Sequence, residues 1–233
     1  MATPYPPHDY LTEREKSTPT AVLSSDTPLN LATVESLALF DGMAQNLINT
    51  GYSVQTNALP RLLSQILCDE LHEMGPTGFH KAGIGKNKTN TMNSLVRTDE
   101  ISWIEETTKS GAAWLAWIAS LQNYLNERLF LGLFSFESHF ARYRKGDFYR
   151  KHQDAFLDDN NRKLSIIIYL NKNWSAKDGG ELVIYTGGMP TGEIRVAPEL
   201  GTLVAFLSED VCHEVLTTAC DRHSIAGWFR TKV

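Results

Sequence analysis

The chain has 233 residues, 42% of them hydrophobic, and a formal net charge of −5. That length carries one substantial core, and the acidic balance argues against a protein whose main task is to hold nucleic acid, which draws on a broad basic surface. Cys68, Cys212 and Cys220 are odd in number and have no paired metal-ligand spacing, which argues against a disulfide framework or a Cys-based zinc site and fits the reduced thiols of a cytoplasmic protein.

No run reaches the apolar length that spans a bilayer, and the N-terminus has no basic stretch leading into an apolar one, so a soluble protein is expected. Residues 1–30 hold five of the nine prolines (Pro4, Pro6, Pro7, Pro19 and Pro28) among Ser, Thr and charged residues. Few large apolar groups there offset the entropy of ordering, which predicts a mobile tail. Residues 31–233 read as one domain, with helical support over 31–130 and a β core over 131–233. The first 20 of those residues have helical character up to Gly51, and "YSVQ" follows as a short strand. Pro60 suits a helix start, and Leu62, Leu63, Ile66, Leu67 and Leu71 follow at helical spacing. Gly75 to Asn93 carries four glycines with Lys81, Lys86 and Lys88, which predicts a long loop. It is not a phosphate loop, because no Gly lies five positions before Gly85 and no Ser or Thr follows Lys86.

Trp114, Trp117, Ile118, Leu121, Tyr124, Leu125 and Leu129 form an apolar stripe that predicts a third helix over 111–129. Beyond it the pattern changes to short β-branched and aromatic runs: "LFSFESHFARY", "LSIIIYL", "ELVIY", "EIRV", "TLVAFL" and "RHSIAGWF". Turn chemistry ("NNRK", "AKDGG", "GGMPTG") separates them. Helices first and then strands without intervening helices imply a mainly β core with supporting helices, an antiparallel sandwich or barrel.

One stretch carries chemistry. His152 and Asp154 stand two residues apart before the apolar run from Leu164 to Leu170. On a strand, i and i+2 project from one face, so the pair is either polar surface at a strand end or two ligands aimed at one point. His213, after "TLVAFL", is a third ligand if the sheet returns beside them. Two His and one carboxylate match the facial triad of non-haem Fe(II) oxygenases, and Zn(II) accepts the same set. Arg222 shares a strand face with Ser224, Ala226 and Trp228. A guanidinium on that largely apolar face needs a buried anion, and a small dicarboxylate held by Arg222 and Ser224 meets the need. Tyr169, on one face with Ser165 and Ile167, also seeks a polar partner. The competing reading is an internal Arg–Glu pair beside a core Tyr.

The motifs "HQD" (152–154), "CHEV" (212–215) and "DRHSIAGWF" (221–229) resemble the His-x-Asp, distal His and Arg-x-Ser pattern of the 2-oxoglutarate and Fe(II)-dependent oxygenases. "YRKGDFYRKHQD", "IIYLNKNWSAKDGGEL" and "VRTDEISWIEE" (96–106) resemble the prolyl 4-hydroxylase branch, specifically the animal oxygen-sensing prolyl hydroxylases and their bacterial counterparts. The resemblance runs from about residue 90 to the end. It implies a double-stranded β-helix, or jelly roll. It also implies Fe(II) on His152, Asp154 and His213, with Arg222 and Tyr169 on the far carboxylate of 2-oxoglutarate and Tyr143 at its metal end. Arg97, Asp99 and Arg162 would then lie near the substrate, and Trp228 beside the metal. The animal relatives have Ala and Thr where this chain has Ser224 and Ala226, so hydrogen bonding next to the cofactor differs.

The implied activity is O₂-dependent hydroxylation of a prolyl residue in a protein, a translation factor among the candidates, with release of succinate and CO₂ and ascorbate as reductant. The same chemistry on a free amino acid or small molecule, and a non-catalytic sensor of 2-oxoglutarate or metal, stand as alternatives. Neither a membrane nor nucleic acid is expected as partner.

Overall fold

The computed structural model describes residues 34–82, 95–155, 161–187 and 192–232. In chain order the elements are α1 (Val34–Thr50), β1 (Tyr52–Gln55), α2 (Arg61–Met74), β2 (His80–Lys81), β3 (Glu100–Trp103), α3 (Lys109–Leu129) and β4 (Leu133–Tyr143). Then come β5 (Tyr149–His152), β6 (Arg162–Tyr169), β7 (Leu182–Thr186), β8 (Gly192–Val196), β9 (Leu203–Leu207), β10 (Cys212–Val215) and β11 (Arg222–Thr231). The tail at 1–30, and Lys86 and Lys88 of the expected long loop, lie outside the described residues. The described start of that loop is not structureless: a 3₁₀ turn at Pro76–Gly78 leads into β2.

All strand pairs are antiparallel. One sheet has seven strands in the order β1-β9-β6-β11-β4-β3-β2, and a smaller one has the order β5-β10-β7-β8. The mainly β expectation therefore holds, with a refinement. The helical first half also contributes β1, β2 and β3 to the large sheet, because each finds an edge to extend: β1 pairs with β9 and β3 with β4.

Alternation along the central strands sorts side chains into two layers. Leu164, Ile166 and Ile168 of β6, with Ile225 and Phe229 of β11, face the helices, where they meet Trp114, Trp117, Ile118, Leu121 and Leu125 of α3 and Phe40 and Met43 of α1. Each such side chain contributes about 1.5–3 kcal/mol by leaving water. Trp114 Nε1–H donates to Ser138 Oγ at 3.0 Å, so the indole enters the core without an orphaned donor. Thr108 caps α3 by accepting from the Gly111 amide at 3.0 Å. The opposite faces carry Tyr169, Val204 and Phe206 toward Leu182, Ile184 and Val215 of the small sheet. On that inner side Arg222, Ser224, Ala226 and Trp228 line a cavity between the sheets. No helix among the described residues is long and apolar enough to cross a membrane.

Candidate metal and dicarboxylate site

The cavity holds about 230 Å³ and opens between the two sheets. His152 ends β5 and His213 lies on β10, and the two are direct register partners across the strands. Asp154 is not on the strand, as simple alternation had it; β5 stops at His152 and the carboxylate comes from the turn that follows. The turn still delivers it: Asp154 Oδ1 lies 3.6 Å from His152 Nε2 and 3.8 Å from His213 Nε2. Ligand atoms of all three residues lie within 4.8 Å of one another.

The surroundings leave those atoms available. His152 Nδ1 sits 2.7 Å from the Arg150 carbonyl and His213 Nδ1 3.2 Å from that of Val211. Each ring therefore donates through Nδ1–H and keeps the Nε2 lone pair for the centre. Ser165 Oγ donates to Asp154 Oδ2 at 2.6 Å and contacts Ser208 Oγ at 2.9 Å, which leaves Oδ1 free to ligate. Burial opposes ionisation of Asp154, but the facing His213 and His152 and the Ser165 hydroxyl outweigh it and hold the carboxyl well below the usual range. Burial drives His213 down to about 4, against the pull of Asp154, so the imidazole is neutral and able to bind a metal at neutral pH.

The other end of the cavity is cationic. Arg222 is 1% exposed. Its Nε–H donates to the Gly180 carbonyl at 2.8 Å and its Nη1 to Ser224 Oγ at 3.4 Å. Gly180 has φ of 67°, and a Cβ there would stand 3.1 Å from Arg222 Cδ, so glycine both suits the backbone and lets the side chain pass. The guanidinium packs 4.9 Å from the Tyr143 ring centroid and 5.0 Å from that of Tyr169. Among the described residues no carboxylate pairs with Arg222, so the expected competitor, an internal Arg–Glu pair, is not what the structure shows. Tyr169 Oη is buried and meets no donor or acceptor at good hydrogen-bond geometry; burial pushes its phenol up to about 12 against the charge and the nearby N–H groups of Arg222. A buried cation without an anion, beside an orphaned hydroxyl, fits a ligand carboxylate. The donor set at the other end fits Fe(II).

Tyr143, Arg97, Asp99, Arg162 and Trp228 line the same cavity, whereas Tyr169 packs against Arg222 and is not part of the cavity wall. Arg97 and Asp99 are no exposed loop pair. Asp99 is 1% exposed, and it accepts from Arg97 Nε and Nη2 at 2.7 and 2.6 Å. Arg162 donates to Glu137 at 2.9 Å, reaches the Asp154 carbonyl at 3.5 Å and lies over the Trp228 ring at 3.9 Å. Trp228 and Trp103 sandwich His139, at ring separations of 5.5 and 5.2 Å. Sequence reasoning missed His139, Tyr149, Glu137 and the hydroxyl role of Ser165. Only Ser165 had a readable signal, its face shared with Tyr169.

Residues 138–230 match the family model described as the 2OG-Fe(II) oxygenase superfamily. A prolyl-4-hydroxylase from Pseudomonas putida shares 36% identity, with a TM-score of 0.75 over 84% of this chain and 100% of that one. The chain belongs to the 2-oxoglutarate–Fe(II) oxygenase superfamily. It is prolyl hydroxylase-like within it. A prolyl hydroxylase from Trichoplax adhaerens, solved with a hypoxia inducible factor peptide fragment, has a TM-score of 0.72 at 24% identity over 84% of this chain and 90% of its own, which is a likeness of fold. A PKHD-type hydroxylase of Parvibaculum lavamentivorans is 33% identical over 94 residues, which span 40% of this chain and 41% of that protein.

Proposed function

We propose that this superfamily member is an Fe(II)- and 2-oxoglutarate-dependent dioxygenase that hydroxylates a prolyl residue of a protein substrate. The observation that carries the reading is one cavity with three facing metal-ligand atoms at one end and a buried cation lacking an anion at the other. The two sheets are taken as the walls of a double-stranded β-helix, and residues 31–233 as a single oxygenase domain.

His152 and His213 would hold Fe(II) through Nε2 and Asp154 through Oδ1. Arg222, with Ser224 at its side, and Tyr169 would hold the far carboxylate of 2-oxoglutarate. Tyr143, close enough for its phenol to sense both Arg222 and Arg97, is assigned to the end nearer the metal. Bound together, the iron and 2-oxoglutarate supply O₂ activation, with succinate and CO₂ released and ascorbate as the expected reductant. Ile167, Leu182 and Val215 on the cavity wall exclude water from that chemistry. Arg162, held by Glu137 and the Trp228 face, and the Arg97–Asp99 pair are assigned to the substrate side. The proline target rests on the likeness to the Pseudomonas enzyme. A translation factor as target rests on family resemblance alone, and action in the cytoplasm on the unpaired cysteines Cys68, Cys212 and Cys220.

The test is an anaerobic titration of the apoprotein with Fe(II) and 2-oxoglutarate, read as a visible metal-to-ligand charge-transfer band. The band is expected in the wild type, absent in His152→Ala and weakened in Arg222→Ala. No band from a folded, metal-loaded wild type overturns the cofactor assignment. Succinate release that rises with peptide length supports a protein substrate. Release driven equally by free proline refutes it, and none with any peptide points to a sensor.

A further inference from the structure

We propose that Tyr149, clamped by the buried Arg97–Asp99 pair, is a positioning residue that holds the His152 ring in its metal-binding orientation. The proposal rests on the metal-site reading above and assigns Arg97 and Asp99 a task before any substrate arrives.

His152 is the least supported of the three ligands. Its side chain is 16% exposed, against 5% for His213, and it ends a four-residue strand at the edge of the small sheet. His213 is flanked by strands on both sides and packs on Phe206 at 4.5 Å. Asp154 is fixed by Ser165. Among the described residues the His152 ring has one hydrogen-bond contact, to the Arg150 carbonyl of its own strand, and it meets the His213 ring only at a tilt, with centroids 4.2 Å apart, so the ring plane is weakly fixed. The Tyr149 ring supplies the missing constraint: it stacks on the imidazole with centroids 3.6 Å apart and planes 16° from parallel.

A regular strand would forbid this contact, because residues three apart point to opposite faces. The register shifts here: His152 pairs with His213 while Tyr149 pairs with Val215, so four residues of β5 span three of β10. The extra residue turns Tyr149 to the same side as His152.

The clamp continues outward. The Arg97 guanidinium lies 4.5 Å from the Tyr149 centroid, and since the imidazole covers one face of the ring it takes the other. Both Asp99 oxygens are engaged by Arg97, and the Asp99 side chain has no exposed surface. Asp99 therefore acts on the Tyr149 ring through Arg97. The backbone holds the same geometry. Arg97 bridges to Tyr149, the Arg150 amide donates to the Val96 carbonyl at 2.8 Å, and the Phe148 amide donates to Thr98 Oγ1 at 3.1 Å. A few residues on, β3 joins the large sheet. The 96–103 segment thus ties the ligand-bearing edge of one sheet to the body of the other.

Groups that orient metal ligands change metal affinity by about 10- to 100-fold when removed. The experiment is a Co(II) titration of the full-length apoprotein, without 2-oxoglutarate or peptide, read by visible d–d absorption, with thermal unfolding of every variant. Tyr149→Leu and Asp99→Asn are expected to bind Co(II) about 10-fold more weakly than wild type. Tyr149→Phe, which keeps the stacked ring, should match wild type. Unchanged affinity in Tyr149→Leu overturns the proposal, as does an equal loss in Tyr149→Phe, which would assign the effect to the hydroxyl. If Tyr149→Leu does not fold, the isosteric Asp99→Asn decides alone: unchanged Co(II) affinity there overturns the clamp. Failure of the underlying site reading looks different, since His152→Ala would then bind Co(II) as tightly as wild type.

Discussion

Replacing Arg222 by Met separates a ligand-facing arginine from a structural one. An arginine paired inside the protein costs about 3–5 kcal/mol to remove, because its partner is left as an uncompensated charge. Arg222 has no acidic partner among the described residues. Its removal orphans the Gly180 carbonyl, worth about 1.5–3 kcal/mol as a bond to a charged donor, and gives up the longer 3.4 Å contact to Ser224 Oγ, which adds little. It also loses packing against the Tyr143 and Tyr169 rings, about 1 kcal/mol each. Against those losses stands relief from burying a charge with no counter-ion, several kcal/mol by itself. The terms nearly cancel, and at about 2–4 °C per kcal/mol for a chain of this size the ligand-free melting temperature should move by less than about 5 °C. The response to 2-oxoglutarate should vanish. With Mn(II) in the site and 2-oxoglutarate at 100 times its Kd, wild type gains about 2.7 kcal/mol, or about 5–10 °C in differential scanning fluorimetry. Arg222→Met should show no shift. A ligand-free loss above about 10 °C with the 2-oxoglutarate shift intact would mean that the guanidinium serves the fold and that the dicarboxylate binds elsewhere.

Ser165→Ala removes the donor on Asp154 Oδ2 and should weaken Co(II) binding about 10-fold by calorimetry while 2-oxoglutarate affinity at saturating metal changes little. Tyr169→Phe deletes a hydroxyl that meets no well-aligned partner among the described residues; ligand-free stability should change little, and 2-oxoglutarate should bind about 10-fold more weakly. Burial lowers the His139 pKa from 6.5 to about 4, with the Arg97 charge adding to the effect. The unfolded chain takes up that proton first, so stability is complete above about pH 6.5 and falls toward pH 4, by about 3 kcal/mol from this group. Urea unfolding of His139→Met across that range should show an acid limb shallower by about that amount, and an unchanged limb would refute the assignment.

The helices and central strands were readable because their burial leaves a plain mark on the sequence. Trp114 to Leu125 repeats at the helical spacing and packs on one wall, while β6 and β9, paired along both edges and covered on both faces, read as short, nearly continuous apolar runs. The stretches that escaped are short or lie at sheet edges. β2 and β3 have two and four residues, too few for a period to show, and their pairing is set by partners 20 or more residues away in sequence; of β5 the strand character at His152 was legible but not its end. His139 was hidden for a different reason. In sequence it is one of several polar residues of β4, with Ser135, Glu137, Ser138 and Arg142, and only the folded sheet puts it between Trp103 and Trp228.

The triad shows why a right residue set can be reached through partly wrong geometry. His152 and Asp154 were grouped by assuming one uninterrupted strand, yet the strand ends at His152 and carries an extra residue just before it. Ligand atoms have only to converge on a point, and a turn delivers Asp154 Oδ1 to that point while Ser165 selects which oxygen faces it. Backbone regularity at a metal site is thus less constrained than the side-chain anchors around it. The same irregularity that breaks the two-residue period is what brings Tyr149 against His152. A sequence search tuned to alternation finds the ligands and passes over the residue that aims one of them.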